Sequence, residues 1–121
     1  MEDVQIILSG IWAALMLTNL WGDVLRMYAG DVTPGEIEGK KMTPKVLMGI
    51  AVLMLIPIVM LVLSLTLSYS VNRWLNIIFG AGLFVFNLAG LRGYPGAYDK
   101  FLIIVGLGFN VLTVWYAWNW V

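Results

Sequence analysis

Asn19, Asp23 and Arg26 sit close together in "NLWGDVLRM", the stretch that closes a long apolar run. Their spacings of four and three put them on one face if the segment is helical. An amide, a carboxylate and a guanidinium on one face could hold a small polar ligand, an ion or a lipid headgroup. Two further amides, Asn87 and Asn110, fall inside other apolar runs. Ionisable groups at membrane depth are functional candidates by default, so these five residues form the candidate binding seam. A plainer reading competes with it. Asn87 and Asn110 would bond across helices, each contact worth about 0.6 kcal/mol. Asp23 and Arg26 would pair with each other and mark where the first helix leaves the hydrocarbon. The plainer reading is favoured, because no acid or base falls near the midplane, where proton relays and ion paths usually need one.

The same inventory argues against catalysis. Ser9 and Ser64 have no histidine or lysine nearby in sequence, and no nucleophile–base pair is visible. The chain has no cysteine and no histidine, which removes thiol chemistry and the commonest transition-metal ligands. No cofactor or metal site is expected. Net charge is zero, with no basic run to hold nucleic acid.

The elements that must position these residues are apolar and long. Of the 121 residues 61% are hydrophobic and 12% charged, against about 25% charged in a soluble domain. Residues 6–21, 46–71, 74–91 and 101–121 carry no charge at all. Crossing a bilayer takes roughly 20 mostly apolar residues. The expected fold class is therefore all-α integral membrane, an antiparallel four-transmembrane-helix bundle forming one domain over 1–121. Its helices should span about 4–28, 44–69, 74–91 and 101–121. The acidic start "MEDVQ" and the absence of a small-x-small cleavage site predict that the first span is retained rather than cleaved as a signal peptide.

Between the spans, "AGDVTPGEIEGKKMTP" reads as a solvated loop, "SYSVNR" as a short turn, and "RGYPGAYDK" as a turn with type II geometry at Pro95-Gly96. Pro44 suits a first helical turn. Pro57, inside the second helix, should kink it and leave the Leu53 carbonyl without its usual donor.

Helices in lipid associate through small residues and polar contacts rather than by burying oil against oil. Three stripes at helical spacing should therefore face inward. They are Ser9, Trp12, Met16, Asn19, Asp23 and Arg26; Asn76, Gly80, Leu83, Asn87 and Gly90; and Asp99, Ile103, Gly106, Asn110, Thr113 and Ala117. The second helix only hints at one, through Gly49, Pro57 and Ser64. "GAG" at 80–82 and "GLG" at 106–108 read as close helix contacts.

Aromatic residues mark two water boundaries: Tyr69, Trp74, Trp115, Tyr116, Trp118 and Trp120 at one, Trp21, Tyr28, Tyr94 and Tyr98 at the other. Six basic residues (Arg26, Lys40, Lys41, Lys45, Arg92, Lys100) lie on the side of the first and third loops, and only Arg73 on the other. The positive-inside rule then predicts a multi-pass cell-membrane protein with those loops in the cytoplasm and both termini outside.

"LSGIWAALMLTNLWGDVL", "LMGIAVLMLIPIVMLVLS", "YSVNRWLNII" and "VWYAWNW" resemble small four-helix prokaryotic membrane proteins of domain-of-unknown-function family 6326. The resemblance covers most of the chain apart from the first loop and residues 84–98. It implies a four-span bundle and no established activity. The chain departs from that family's pattern at Leu55, where members tend to carry glutamate. It departs again at Leu65, Ser68 and Ser70, where they tend to carry basic residues. The family pattern would put the second loop in the cytoplasm, against the count in this chain.

The leading functional expectation is a protein that acts by association in the bilayer, with a second copy or another membrane protein as partner. The alternative is a transporter-like or small-ligand- or lipid-binding bundle using the seam between helices 1, 3 and 4. An open polar cavity there would favour the alternative.

Overall fold

The computed structural model describes residues 3–30, 36, 37, 40–91 and 96–120. Four helices dominate: α1 (Asp3–Ala29), α2 (Pro44–Thr66), α3 (Tyr69–Gly90) and α4 (Ala97–Trp118). Each is long and apolar enough to cross a membrane. A minimal antiparallel ladder, β1 (Glu36–Ile37) with β2 (Lys40–Lys41), interrupts what the sequence predicts to be irregular loop. Residues 31–35, 38 and 39 of that loop, and Pro95 of the expected type II turn, lie outside the described residues.

Helix ends follow local chemistry. Thr43, extended at φ −79° and ψ 159°, accepts the Val46 N–H on its side chain, and Pro44 opens α2. This is a normal N-cap with proline at a position where no donor is missed. Gly30, at φ +78°, follows α1 in the left-handed conformation that glycine adopts without steric penalty.

The sequence expectation fails at the second turn. α2 stops at Thr66 rather than near 69, and α3 begins at Tyr69 rather than Trp74. "SYSVNR" is mostly helix, because its polar residues have inward work. Asn72 is fully buried and donates to the Ser64 carbonyl at 2.8 Å and the Leu67 carbonyl at 3.4 Å. Arg73 donates to the Ala117 and Trp118 carbonyls at 3.0 and 3.1 Å. The last carbonyls of a helix have no partner within it, so α3 supplies donors to the ends of both α2 and α4. The Arg73 cation also sits favourably at the negative end of the α4 dipole and over the rings of Trp74 and Trp118. α4 likewise starts earlier than expected, at Ala97, which brings Asp99 into its first turn.

The contacts run antiparallel. Along α1 and α2, Gln5 reaches Ser64 and Ser9 reaches Leu61. Along α1 and α4, a side chain at Gly106 would meet Leu15, one at Gly22 would meet Leu102, and Arg26 binds Asp99. α3 and α4 approach closely at Gly80, where an added Cβ would lie 3.0 Å from Val114 and 3.3 Å from Thr113. The core is built on Trp12, Leu15 and Met60. Around the bundle the order is α2, α1, α4, α3. α2 and α3 share the short turn at Leu67–Ser68 yet touch over a much shorter stretch than the other neighbouring pairs.

Candidate functional site

Large apolar side chains are exposed along all four helices, so polar groups inside the bundle stand out. Two sets of them matter here, with Ser9, Asn110 and Thr113 buried outside both. At the end that holds the second turn, Asn76 accepts the Trp12 Nε1–H on Oδ1 at 2.7 Å. Its amide nitrogen donates to Asn72 Oδ1 at 2.7 Å and to the Asn72 carbonyl at 2.9 Å. The Ser64 hydroxyl adjoins the same amide. Every member is fully buried. Buried polar groups are stable only when their partners are present, and here one from each of α1 and α2 and two from α3 satisfy one another. This set reads as a structural clamp. The sequence places Trp12 and Asn76 on its inward stripes but not in the candidate seam, and it reads Asn72 as part of a turn.

At the opposite end the helices part around a cavity of about 600 Å³. All four contribute to its wall: Thr18, Asn19, Gly22, Asp23 and Arg26 from α1, a stretch of α2 from Ile50 to Pro57, Leu83 to Gly90 of α3, and Asp99, Leu102 and Ile103 from α4. Because α2 and α3 diverge from their shared turn, packing does not close the flank between them. Gly22 and Gly90 line this wall as well. Leu53 and Pro57 both line the wall. Proline at 57 has no N–H for the Leu53 carbonyl, so a backbone acceptor is spared in this part of α2.

The polar head of the cavity is an ion triad. Arg26 Nη1 donates to Asp99 Oδ1 at 2.8 Å, and Arg26 Nη2 donates to Asp23 Oδ1 one turn away on α1. Asp99 is 1% exposed, the Arg26 side chain 16% and the Asp23 side chain 38%. Sequence position favours the cross-helix bond. Arg26 lies in the last turn of α1 and Asp99 in the first turn of α4, so each charge faces the helix end that stabilises it. Asp99 Oδ2 is buried and has no hydrogen-bond partner.

The five seam residues therefore divide. Asn19, Asp23, Arg26 and Asn87 line one cavity. Asn110 does not: it is fully buried, and neither of its amide atoms has a partner. The cross-helix bond expected of it is absent. Nor do Asp23 and Arg26 merely end a helix, since Arg26 ties α1 to α4. Asp99 is the important residue outside the seam. It opens the fourth helix's inward stripe, but with that helix expected from 101 it fell in a turn. The wall also includes α2, beyond the three helices the sequence implicates.

The model of DUF6326, a family of unknown function, matches residues 1–120. The chain belongs to this family. No curated protein and no solved structure matches it. In this DUF6326 chain Leu55, where the resemblance expects glutamate, is 51% exposed and outside the cavity wall. Leucine at 55 therefore takes no acid from the cavity of this DUF6326 protein, whose carboxylates come from α1 and α4.

Proposed function

We propose that this protein is a multi-pass integral membrane protein that binds a small amphipathic molecule in the cavity at the Arg26 end of its bundle. The observation that carries the reading is the pairing of buried charge with empty space. A structural ion pair needs no cavity beside it, and a packing defect needs no charges. The volume of about 600 Å³ falls in the range of about 300–1,000 Å³ usual for ligand pockets, which join apolar walls to a few convergent polar groups.

Membrane residence is supported by the surface. Four helices have the length and hydropathy to span. Outward residues such as Ile78, Val85, Phe101, Ile104 and Trp115 are more than half exposed, whereas a monomer in water rarely shows contiguous apolar patches larger than a few hundred Å². The count of basic residues supports cytoplasmic first and third loops, which would put the cavity in the cytoplasmic half. The flank between α2 and α3 would then face lipid and give an amphipathic ligand a lateral way in. The reading is non-catalytic, because among the described residues the cavity presents amides, carboxylates, a guanidinium already bonded to both carboxylates and the Thr18 hydroxyl, which donates to the Ala14 carbonyl, and no histidine, lysine or cysteine. Association through an outer face gains no comparable support from the fold, so binding takes precedence over it.

The test is photolabelling. A diazirine-bearing octanol, small and neutral, is irradiated with the protein in its membrane, and the adducts are mapped by mass spectrometry. Adducts should gather on cavity residues such as Asp23, Met54, Phe86 and Asp99, and fall when Ala89 in the wall is enlarged to Phe. Labelling confined to outward residues such as Val62 and Ile104 would overturn the proposal.

A further inference from the structure

The charges in the cavity do not balance. Among the described residues of its wall the ionisable groups are Asp23, Asp99 and Arg26, two carboxylates to one guanidinium. Arg26 gives one terminal nitrogen to each carboxylate. Its charge is therefore committed, and among the described residues of the wall an anionic ligand would find no further cation while facing two carboxylates. The unmet demand is of the other sign. Asp99 Oδ2 is buried without a donor and belongs to a residue of the wall. A buried carboxylate oxygen is costly unless hydrogen-bonded, and in a low-dielectric setting an excess negative charge is screened little and felt strongly. What completes this site must bring both an N–H or O–H donor and positive charge.

Two classes of cation meet the charge requirement, and the wall separates them. Hard metal ions take six or more oxygen ligands in close array. No group of three acidic, histidine or cysteine side chains able to hold a metal occurs among the described residues. The wall beyond the triad is apolar, with Leu53, Met54 and Pro57 on one side and Leu83 and Phe86 on the other. Hydrocarbon fits there and a hydrated ion does not. Asn19 and Asn87 add amide oxygens for further N–H groups. Resting on the binding role proposed above, we infer that the cavity takes an organic ammonium. Its charge lies against the Asp23–Asp99 carboxylate pair, reached from the more exposed Asp23 side, and its hydrocarbon body lies between α2 and α3.

The probes are three molecules of one shape: 4-phenylbutylamine, 4-phenylbutanol and 4-phenylbutyrate. Binding to the full chain in phosphatidylcholine nanodiscs is measured by titration calorimetry, with empty discs subtracted. The amine should bind at least tenfold more tightly than the alcohol, and the butyrate should not bind. Asp99→Asn should remove at least tenfold of the amine's affinity and lower the alcohol's by no more than about threefold. Should that variant fail to fold, Asp23→Asn serves. It cancels the excess charge while keeping the Arg26–Asp99 bond, and should weaken the amine alone, about threefold or more. Equal binding of amine and alcohol would overturn the ammonium inference and leave the binding role standing. Tighter binding of the butyrate would overturn it likewise. Failure of all three probes, joined to photolabelling confined to outward residues, would remove both. Discs containing phosphatidylethanolamine separate two sources of the same chemistry. A loss of amine affinity there assigns the site to a lipid headgroup ammonium, and unchanged affinity assigns it to a free amine.

Discussion

Asn76 and Asn110 are both buried amides on inward stripes, and replacing each with leucine should act in opposite directions. Asn76 is bonded on both sides, to the Trp12 indole and to Asn72. Asn76→Leu strands the Trp12 N–H and the Asn72 oxygen, and should cost about 1–3 kcal/mol, the range for leaving a buried polar group unpaired. Asn110 has neither atom paired. Asn110→Leu removes that penalty with the same number of side-chain heavy atoms and should stabilise the fold, by up to about 1–3 kcal/mol on the same scale less whatever the bulkier methyl groups cost in packing. Equilibrium unfolding in detergent and denaturant measures both. Two shifts of the same sign would contradict the hydrogen-bond assignments. Residue type alone does not distinguish these amides. The difference is made by partners on other helices.

Glycines make the corresponding point at the level of elements. "GAG" and "GLG" each hold two glycines, and only one of each pair is a contact. A Cβ at Gly80 would meet Val114 at 3.0 Å, and one at Gly106 would meet Leu15 at 3.4 Å. Gly82 and Gly108 have nothing within 4 Å. Gly80→Leu should therefore force α3 from α4 and cost about 1–3 kcal/mol, as overpacking does. Gly82→Leu should be close to neutral. Thermal unfolding of the two variants compares them directly, and equal losses would mean that Gly82 also sits in a contact. Both motifs are visible in sequence, but which glycine faces a neighbour depends on how far each helix is rotated, and i, i+2 spacing puts the pair on different faces.

For the whole molecule, the proposed topology is open to a direct check because the chain has no cysteine. Single cysteines at Lys41, in the first loop, and at Asn119, after α4, report the two sides. In intact cells an impermeant maleimide should label Asn119→Cys at once and Lys41→Cys only after permeabilisation. The reverse pattern would place the second loop inside, as the family's basic pattern suggests. Arg73, the one basic residue on that side, bonds the end of α4. Its presence there is explained by that contact whichever way the protein is inserted.

By itself the sequence determined the number of helices, their approximate placement and most of their inward faces. Uncharged blocks of this size have few alternatives, and a helix's period fixes which residues share a side. It also pointed to Asn19, Asp23, Arg26 and Asn87 as companions. The tertiary structure decided what lies between them. Only assembly shows that α2 and α3 diverge, that the gap is a cavity, and that Asn110 stands outside it. Asp99 became part of the site because α4 begins a turn earlier than its apolar run and sets that carboxylate against Arg26, seventy-three residues away. Such a pairing depends on the relative height of two helices. That height follows from packing across the whole bundle and from no local stretch of residues.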